Sequence, residues 1–302
     1  MPLACPRPNC ASTRIQSRGH FVRRCDEAKV RIFQCSLCKK YFSEQTTNPT
    51  YRLRRTSLLG RLRDKLMDSA TQMRCAQSLC IAPRTVARLI RACAAIDRAW
   101  QVRFLAALGP VPDMIFDEMM SYEHSRWKPL SLPIAVCERT QALLGMSVAR
   151  IPPSGLAAAK ALAKYGPRAD ESPPARLKLL RHLERSCGGR GSIKSDAHKS
   201  YGGEIKQAMP ARFHEVHLSR RGCVVGYGEL KKVGFDPLFF LNHTCAMVRD
   251  SLATLKRRTW TTTKRPERLQ LLLDIYIRYH NEVLLHRRKG ALARSRNIPV
   301  VV

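Results

Sequence analysis

The sequence predicts a multidomain α/β protein: an N-terminal zinc ribbon, a helix-turn-helix segment, then a mixed sheet with flanking helices. Three observations predict it. Two close cysteine pairs open the chain, a helical repeat fills the next part, and apolar runs ending on acids follow a Gly-Pro-Val-Pro stretch. The 302 residues are enough for two or three domains and a sizeable core. A hydrophobic content of 44% marks a globular rather than a disordered chain.

The net charge is +31. Residues 1–110 hold 21 Lys and Arg against 6 Asp and Glu, so this third alone carries +15. No single amphipathic helix concentrates the charge, which argues against a membrane-surface protein. No apolar run approaches the roughly 20 residues of a membrane span. A polyanion partner is the economical reading, and double-stranded DNA is favoured. RNA is less favoured, because no aromatic-rich platform is present. Met1 leads into Cys5 and Cys10 without an export signal, so the expected location is the cytoplasm. Twelve cysteines in such a chain argue against a disulfide scaffold.

Residues 1–50 read as a zinc ribbon. Cys5 and Cys10 form one knuckle, Cys35 and Cys38 the other, and four thiolates close a tetrahedral Zn²⁺ site. The first pair is spaced more widely than usual, and Cys25 is a spare. Val30 to Gln34 alternates like a strand on which Phe42 would pack. So short a segment has little core, and a metal would supply the missing stability.

Residues 51–108 read as a helix-turn-helix DNA-binding domain. Leu58, Leu59, Leu62 and Leu66 recur at helical spacing. A helix ending near Leu79 is followed by a turn at 80–82, and Pro83 starts a second helix where it needs no amide donor. Val86, Leu89 and Ile90 face inward, while Arg84, Thr85, Arg88 and Arg91 face out, as a recognition helix requires. An ordinary helical hairpin would show a similar pattern. The Gly109–Pro112 stretch reads as a hinge.

Residues 109–302 form the third part. Strands are expected at 113–120, 129–137 and 141–150, helices at 156–165 and 174–187, a strand at 192–196, a helix at 201–209 and a strand at 213–218. Helices at 241–255 and 267–285 complete it. Three strands, helical connections, then a strand ending on Asp is the order of a ribonuclease-H-like domain. Asp117 and Glu118 leave the first strand on opposite faces. Asp196 ends the fourth strand, which lies beside the first in such a sheet. Two carboxylates meeting there are hard oxygen ligands for Mg²⁺ or Mn²⁺ at a phosphodiester.

Several motifs occur in a defined order: Phe33-Gln-Cys-Ser-Leu-Cys-Lys-Lys-Tyr-Phe42, Asp117-Glu118 with Lys128-Pro129, and Ser195-Asp196-Ala-His-Lys-Ser-Tyr201. A last run goes from Phe235-Asp-Pro-Leu-Phe-Phe-Leu-Asn-His to Trp260 and Lys264. With these the chain resembles the DDE-class transposases of bacterial insertion sequences, above all the insertion sequence one group, over almost its whole length. The resemblance implies a DNA transposase that binds terminal inverted repeats, often as a homodimer on DNA, and cleaves and joins strands with divalent metal. It implies metal-holding, catalytic roles for Asp117 and Asp196, and puts Asn242 where the group has glutamate. Asp250 and Asp236 are alternatives for that third ligand, and Asn242 could instead cap a helix. Lys128, Lys256, Arg257, Arg258 and Lys264 are expected phosphate contacts. The competing reading is a non-catalytic DNA-binding protein, a regulator or an inactive descendant.

Overall fold

The computed structural model describes residues 4–24, 27–218, 236–256 and 260–287. Cys25, Phe235, Arg257 and Arg258 lie outside the described residues.

The ribbon is a three-stranded antiparallel sheet of β1 (Ile15–Val22), β2 (Lys29–Cys35) and β3 (Tyr41–Ser43), in that order. Phe42 pairs with Phe33 across the strands, with ring centroids 5.7 Å apart. Its core cluster is Cys5, Cys35 and Phe42, with Cys10, Ile15, Phe33 and Cys38 against them, and Val30 of β2 is buried as well. β1 was not anticipated. Almost all of its residues are exposed, Phe21 and Val22 among them, so no polar–apolar alternation marks it in the sequence.

Three helices follow: α1 (Leu58–Met67), α2 (Gln72–Ser78) and α3 (Pro83–Leu108). Thr71 caps α2, its side-chain oxygen accepting from the Arg74 amide. Cys80 takes a left-handed φ of 50° in the turn, and Pro83 opens α3. Cys75, Ala76, Leu79, Val86, Leu89 and Ile90 are buried as the helix-turn-helix pattern requires. However, α3 continues well past this unit. Its second half buries Trp100, Phe104 and Leu105 against the later sheet.

The stretch expected to be a hinge is therefore packed. Val111 is buried, its amide bonds the Cys187 carbonyl at 3.0 Å, and the Arg212 guanidinium donates to the Val111 and Pro112 carbonyls. Proline and glycine gave that stretch the composition of a linker, but composition does not report who receives its carbonyls.

The second sheet holds β4 (Asp113–Tyr122), β5 (Pro129–Cys137), β6 (Leu143–Met146), β7 (Ala149–Arg150), β8 (Gly191–Asp196) and β9 (Arg212–His217). Its order is β6-β5-β4-β8-β9, with β7 on β5. The β4–β5 and β5–β6 pairs are antiparallel; β4–β8 and β8–β9 are parallel. Between β7 and β8 lie α4 (Ala158–Tyr165) and α5 (Ser172–Cys187); α6 (Tyr201–Ala208) links β8 to β9. The later helices are α7 (Phe239–Ser251) and α8 (Pro266–Tyr279), the latter running through a π turn at His280–Leu284 into α9 (Leu285–Arg287).

Both faces of β4 and β5 are buried, which explains their continuous apolar runs. On one face Ile115, Met119, Leu132 and Ile134 share a core with α7, α8 and the helix-turn-helix residues. On the other, Met114, Phe116 and Ile193 pack with α5, α6 and the second half of α3. Gly191 lets β8 enter beside β4. It has φ of +153°, and a Cβ there would lie 1.8 Å from the Pro112 carbonyl oxygen. Among the described residues, no helix is long and apolar enough to cross a membrane.

Candidate nucleic-acid processing site and metal centres

Two parallel strands set the acid pair. In the β4–β8 register Asp113 faces Ser192 and Ile115 faces Lys194. Two residues further along each strand stand Asp117 and Asp196, on the same side of the sheet. Both are half-buried. Burial holds the Asp117 carboxyl up at about 6, and the Asp196 charge adds to the shift, opposed by the hydrogen bond from the Glu118 amide. Asp196 accepts the His198 amide at 3.0 Å, which fixes the chain as it leaves β8.

Glu118 goes the other way. Its carboxylate meets the Arg176 guanidinium of α5 at 2.9 Å and accepts the Ser131 hydroxyl. Arg176 also forks onto Glu204 of α6 through two bonds of 2.6 Å. Its side chain is 3% exposed, against 12% for Glu118 and 11% for Glu204. Tyr201, the first residue of α6, joins the two groups: its hydroxyl lies 3.2 Å from Asp117 Oδ1 and 3.3 Å from Glu118 Oε2. Burial, then the charges of Glu118, Asp117 and Asp196, raise the Tyr201 phenol, so it remains a donor at neutral pH. Sequence reasoning missed Arg176, Tyr201 and Glu204. The signal was present: Arg176 sits on the same helical stripe as Leu179, Leu180, Leu183 and Cys187, where a charge needs a partner.

α7 packs over this face. It buries Leu241, Val248 and Cys245 in the core that also holds Ile115 and Met119 of β4, the residues on either side of Asp117 on its own face. Asn242, one turn before Cys245, is exposed and donates its side-chain amide to Asp236 Oδ2 at 2.8 Å. It does not cap the helix. α7 starts at Phe239 with Leu238 as its N-cap and no side-chain cap, while Asp236, two residues before Leu238, accepts the Leu238 amide at 2.9 Å. Asp250 is exposed near the far end of α7. The Asp117 and Asp196 carboxylates are hard oxygen donors of the kind suited to Mg²⁺ or Mn²⁺, whereas the Asn242 side chain is engaged by Asp236. The mutual repulsion of the two carboxylates is what a dication would relieve.

The four knuckle cysteines converge, their sulfurs within 4.8 Å of one another. The Cys5–Cys38 and Cys10–Cys35 sulfur pairs are 3.7 and 3.6 Å apart. A tetrahedron with Zn–S bonds of about 2.3 Å has edges of about 3.8 Å, so this set fits zinc. The Cys38 and Leu37 amides lower the Cys35 thiol to about 6, favouring the thiolate a metal needs.

The predicted DNA-facing residues fall in two regions. Arg84, Arg88 and Arg91 are exposed along α3 and Thr85 is half-exposed; Arg88 Nη2 donates to the Arg52 carbonyl at 3.1 Å. At the β4–β5 turn, Lys128 lies over the Tyr165 ring at 4.4 Å. Lys264 comes to the same turn, 3.0 Å from His124 Nδ1, and Lys256 is exposed.

No protein-family model matches the chain, and no curated protein matches it. Among solved structures it is similar to a simian T-cell lymphotropic virus intasome in complex with PP2A regulatory subunit B56 gamma. The identity is 12% and the TM-score 0.31, over 72% of this chain and 65% of that one. It is also similar to a piggyBac transposase synaptic complex with hairpin DNA, at 10% identity and a TM-score of 0.34, over 80% of this chain and 68% of that one. At TM-scores this low the likeness carries no weight for fold or function.

Proposed function

We propose that the chain is a DDE-class transposase, with a ribonuclease-H-like core, that binds the inverted repeats of a bacterial insertion sequence. It would cleave and transfer their strands. The observation that supports the reading is the parallel β4–β8 ladder, whose last pair is Ile115 with Lys194, so that Asp117 and Asp196 each stand two residues beyond it, with the Asp117 carboxyl raised by burial and by the Asp196 charge. The mixed strand order, with a parallel β4–β8 pair at its centre, supports the core assignment. In this reading Asp117, Asp196 and Asn242 hold Mg²⁺ or Mn²⁺. When bound, the metal polarises the phosphodiester and makes the attacking hydroxyl more acidic. Tyr201 orients Asp117, and the buried Glu118–Arg176–Glu204 cluster holds Tyr201 in place. The ribbon and α3 hold the element end, and Lys128, Lys256 and Lys264, with Arg257 and Arg258, take phosphates. A homodimer on DNA is part of the proposal.

A second reading is a non-catalytic DNA-binding protein. It is favoured by one observation: the third position is a neutral amide already engaged by Asp236. A strand-cleavage assay on duplexes from the gene's own flanks separates the two. Transposase predicts metal-dependent nicking at the repeat ends that Asp117→Asn and Asp196→Asn abolish without loss of binding. Wild-type protein that binds the ends but never cuts them, with either metal, supports the second reading.

A further inference from the structure

Between α3 and the head of α8 lies a cleft of about 1030 Å³. Its cations come from three places in the chain: Arg91 and Arg98 on α3, Arg150 on β7, and Lys264, Arg265 and Arg268 at the start of α8. Some are engaged. Arg98 meets Asp274 at 2.8 Å, and Arg150 reaches Glu171 and Glu267, the two acids that line the cleft. Among the described residues Lys264 hydrogen-bonds His124 and Thr262 and forms no ion pair with a carboxylate. Arg91, Arg265 and Arg268 are exposed and form no ion pair among the described residues.

The head of α8 is electrostatically inverted. Arg265 is the N-cap residue, and it supplies no side-chain cap. Lys264, Arg265 and Arg268 thus crowd the positive end of a 14-residue helix, where acids are normally favoured; Glu267 is the one acid in the first turn. An anion placed there would be held by the helix terminus and by these side chains together. The cleft also adjoins the recognition face, since Arg91 lines it and lies two turns beyond Arg84 on α3. No aromatic side chain lines it, so it offers no stacking surface for unpaired bases.

We propose that this cleft is a second DNA-contact site, which takes the phosphodiester backbone of the duplex lying along α3. The site rests on the reading of the chain as a DNA-binding protein. It gives the bound duplex a fixed direction, from α3 toward the β4–β5 turn that Lys264 reaches. The expected contact is phosphate only, with no base preference.

The test uses the full chain, a short random-sequence DNA duplex and a salt series. Arg265→Ala/Arg268→Ala should flatten the plot of log affinity against log salt by about 2, near 0.9 per lost phosphate contact. Arg265→Lys/Arg268→Lys should keep most of the slope. Both positions are exposed, and an unchanged circular dichroism spectrum checks the fold. A slope unchanged in the Ala variant overturns the proposal while leaving DNA binding by α3 intact. A wild-type chain that binds no duplex overturns both. If the Ala variant loses binding to polyglutamate but keeps its DNA slope, the cleft serves an acidic protein segment and the proposal fails.

Discussion

The Tyr201 hydroxyl sits 3.2 Å from Asp117 Oδ1, reaching from the start of α6 to a carboxylate on β4. The same hydroxyl lies 3.3 Å from Glu118 Oε2, so a single side chain links the candidate metal-binding acid to a buried ion cluster. Removing it separates positioning from stability. Tyr201→Phe should cost about 1 kcal/mol of stability. It should shift the acid limb of the cleavage pH profile upward, because the hydrogen bond lowers the Asp117 carboxyl. Unchanged cleavage at every pH would show that the link has no role in the chemistry.

Asp117 also predicts a stability profile. Its carboxyl titrates at about 6 in the folded chain, above the ordinary 3.8, so the folded state binds the proton more tightly. The stability this proton lends is fully present below about pH 3.8 and is lost as pH rises through about 6. Urea unfolding of wild type and Asp117→Asn should show the wild type falling behind the variant across that window. Adding Mg²⁺ at neutral pH should close the gap. Parallel curves would mean that Asp117 is not strained.

The ribbon predicts one zinc per chain by elemental analysis. Cys35→Ser or Cys38→Ser should remove the metal and collapse amide protection in β1–β3, because little else than cysteine and Phe42 forms that core. The sheet around β4 shares no residue with that core and should keep its protection. Full protection of the ribbon without metal would refute the assignment.

The proposal assigns base reading to α3. Arg84→Ala should weaken binding to the cognate end by about 1–3 kcal/mol and relax the sequence preference at one position. Equal weakening on all DNA assigns Arg84 to phosphate. Arg88 is the less clean probe, since it also ties α3 to the Arg52 carbonyl.

What the sequence showed, and what it hid, follows from where each signal resides. Asp117 was legible because it follows an apolar run and Asp196 because it closes a short strand after a glycine-rich break, and strand alternation then decides their faces. Pro83 and the Val86, Leu89, Ile90 spacing marked α3, and the helical pattern continued to Ala107, although nothing local showed that its second half crosses to the other core. β1 was hidden because its exposed side chains follow no period. Arg176 was hidden because its partners, Glu118 and Glu204, lie 58 and 28 residues away. Asn242 was legible only by resemblance, and its bond to Asp236 shows how the neutral amide is held without showing what it holds. Asn242→Glu tests that position: a live site short of charge should cleave at least as well with the added carboxylate.

The central claim is that Asp117 and Asp196 share a divalent cation. Crystals of the wild-type chain soaked in Mn²⁺ test it most directly, through the anomalous signal of the metal. The account predicts a peak in contact with both carboxylates, absent in Asp117→Asn. A soaked crystal with no peak at this pair, or with manganese bound at Asp236 instead, would contradict it.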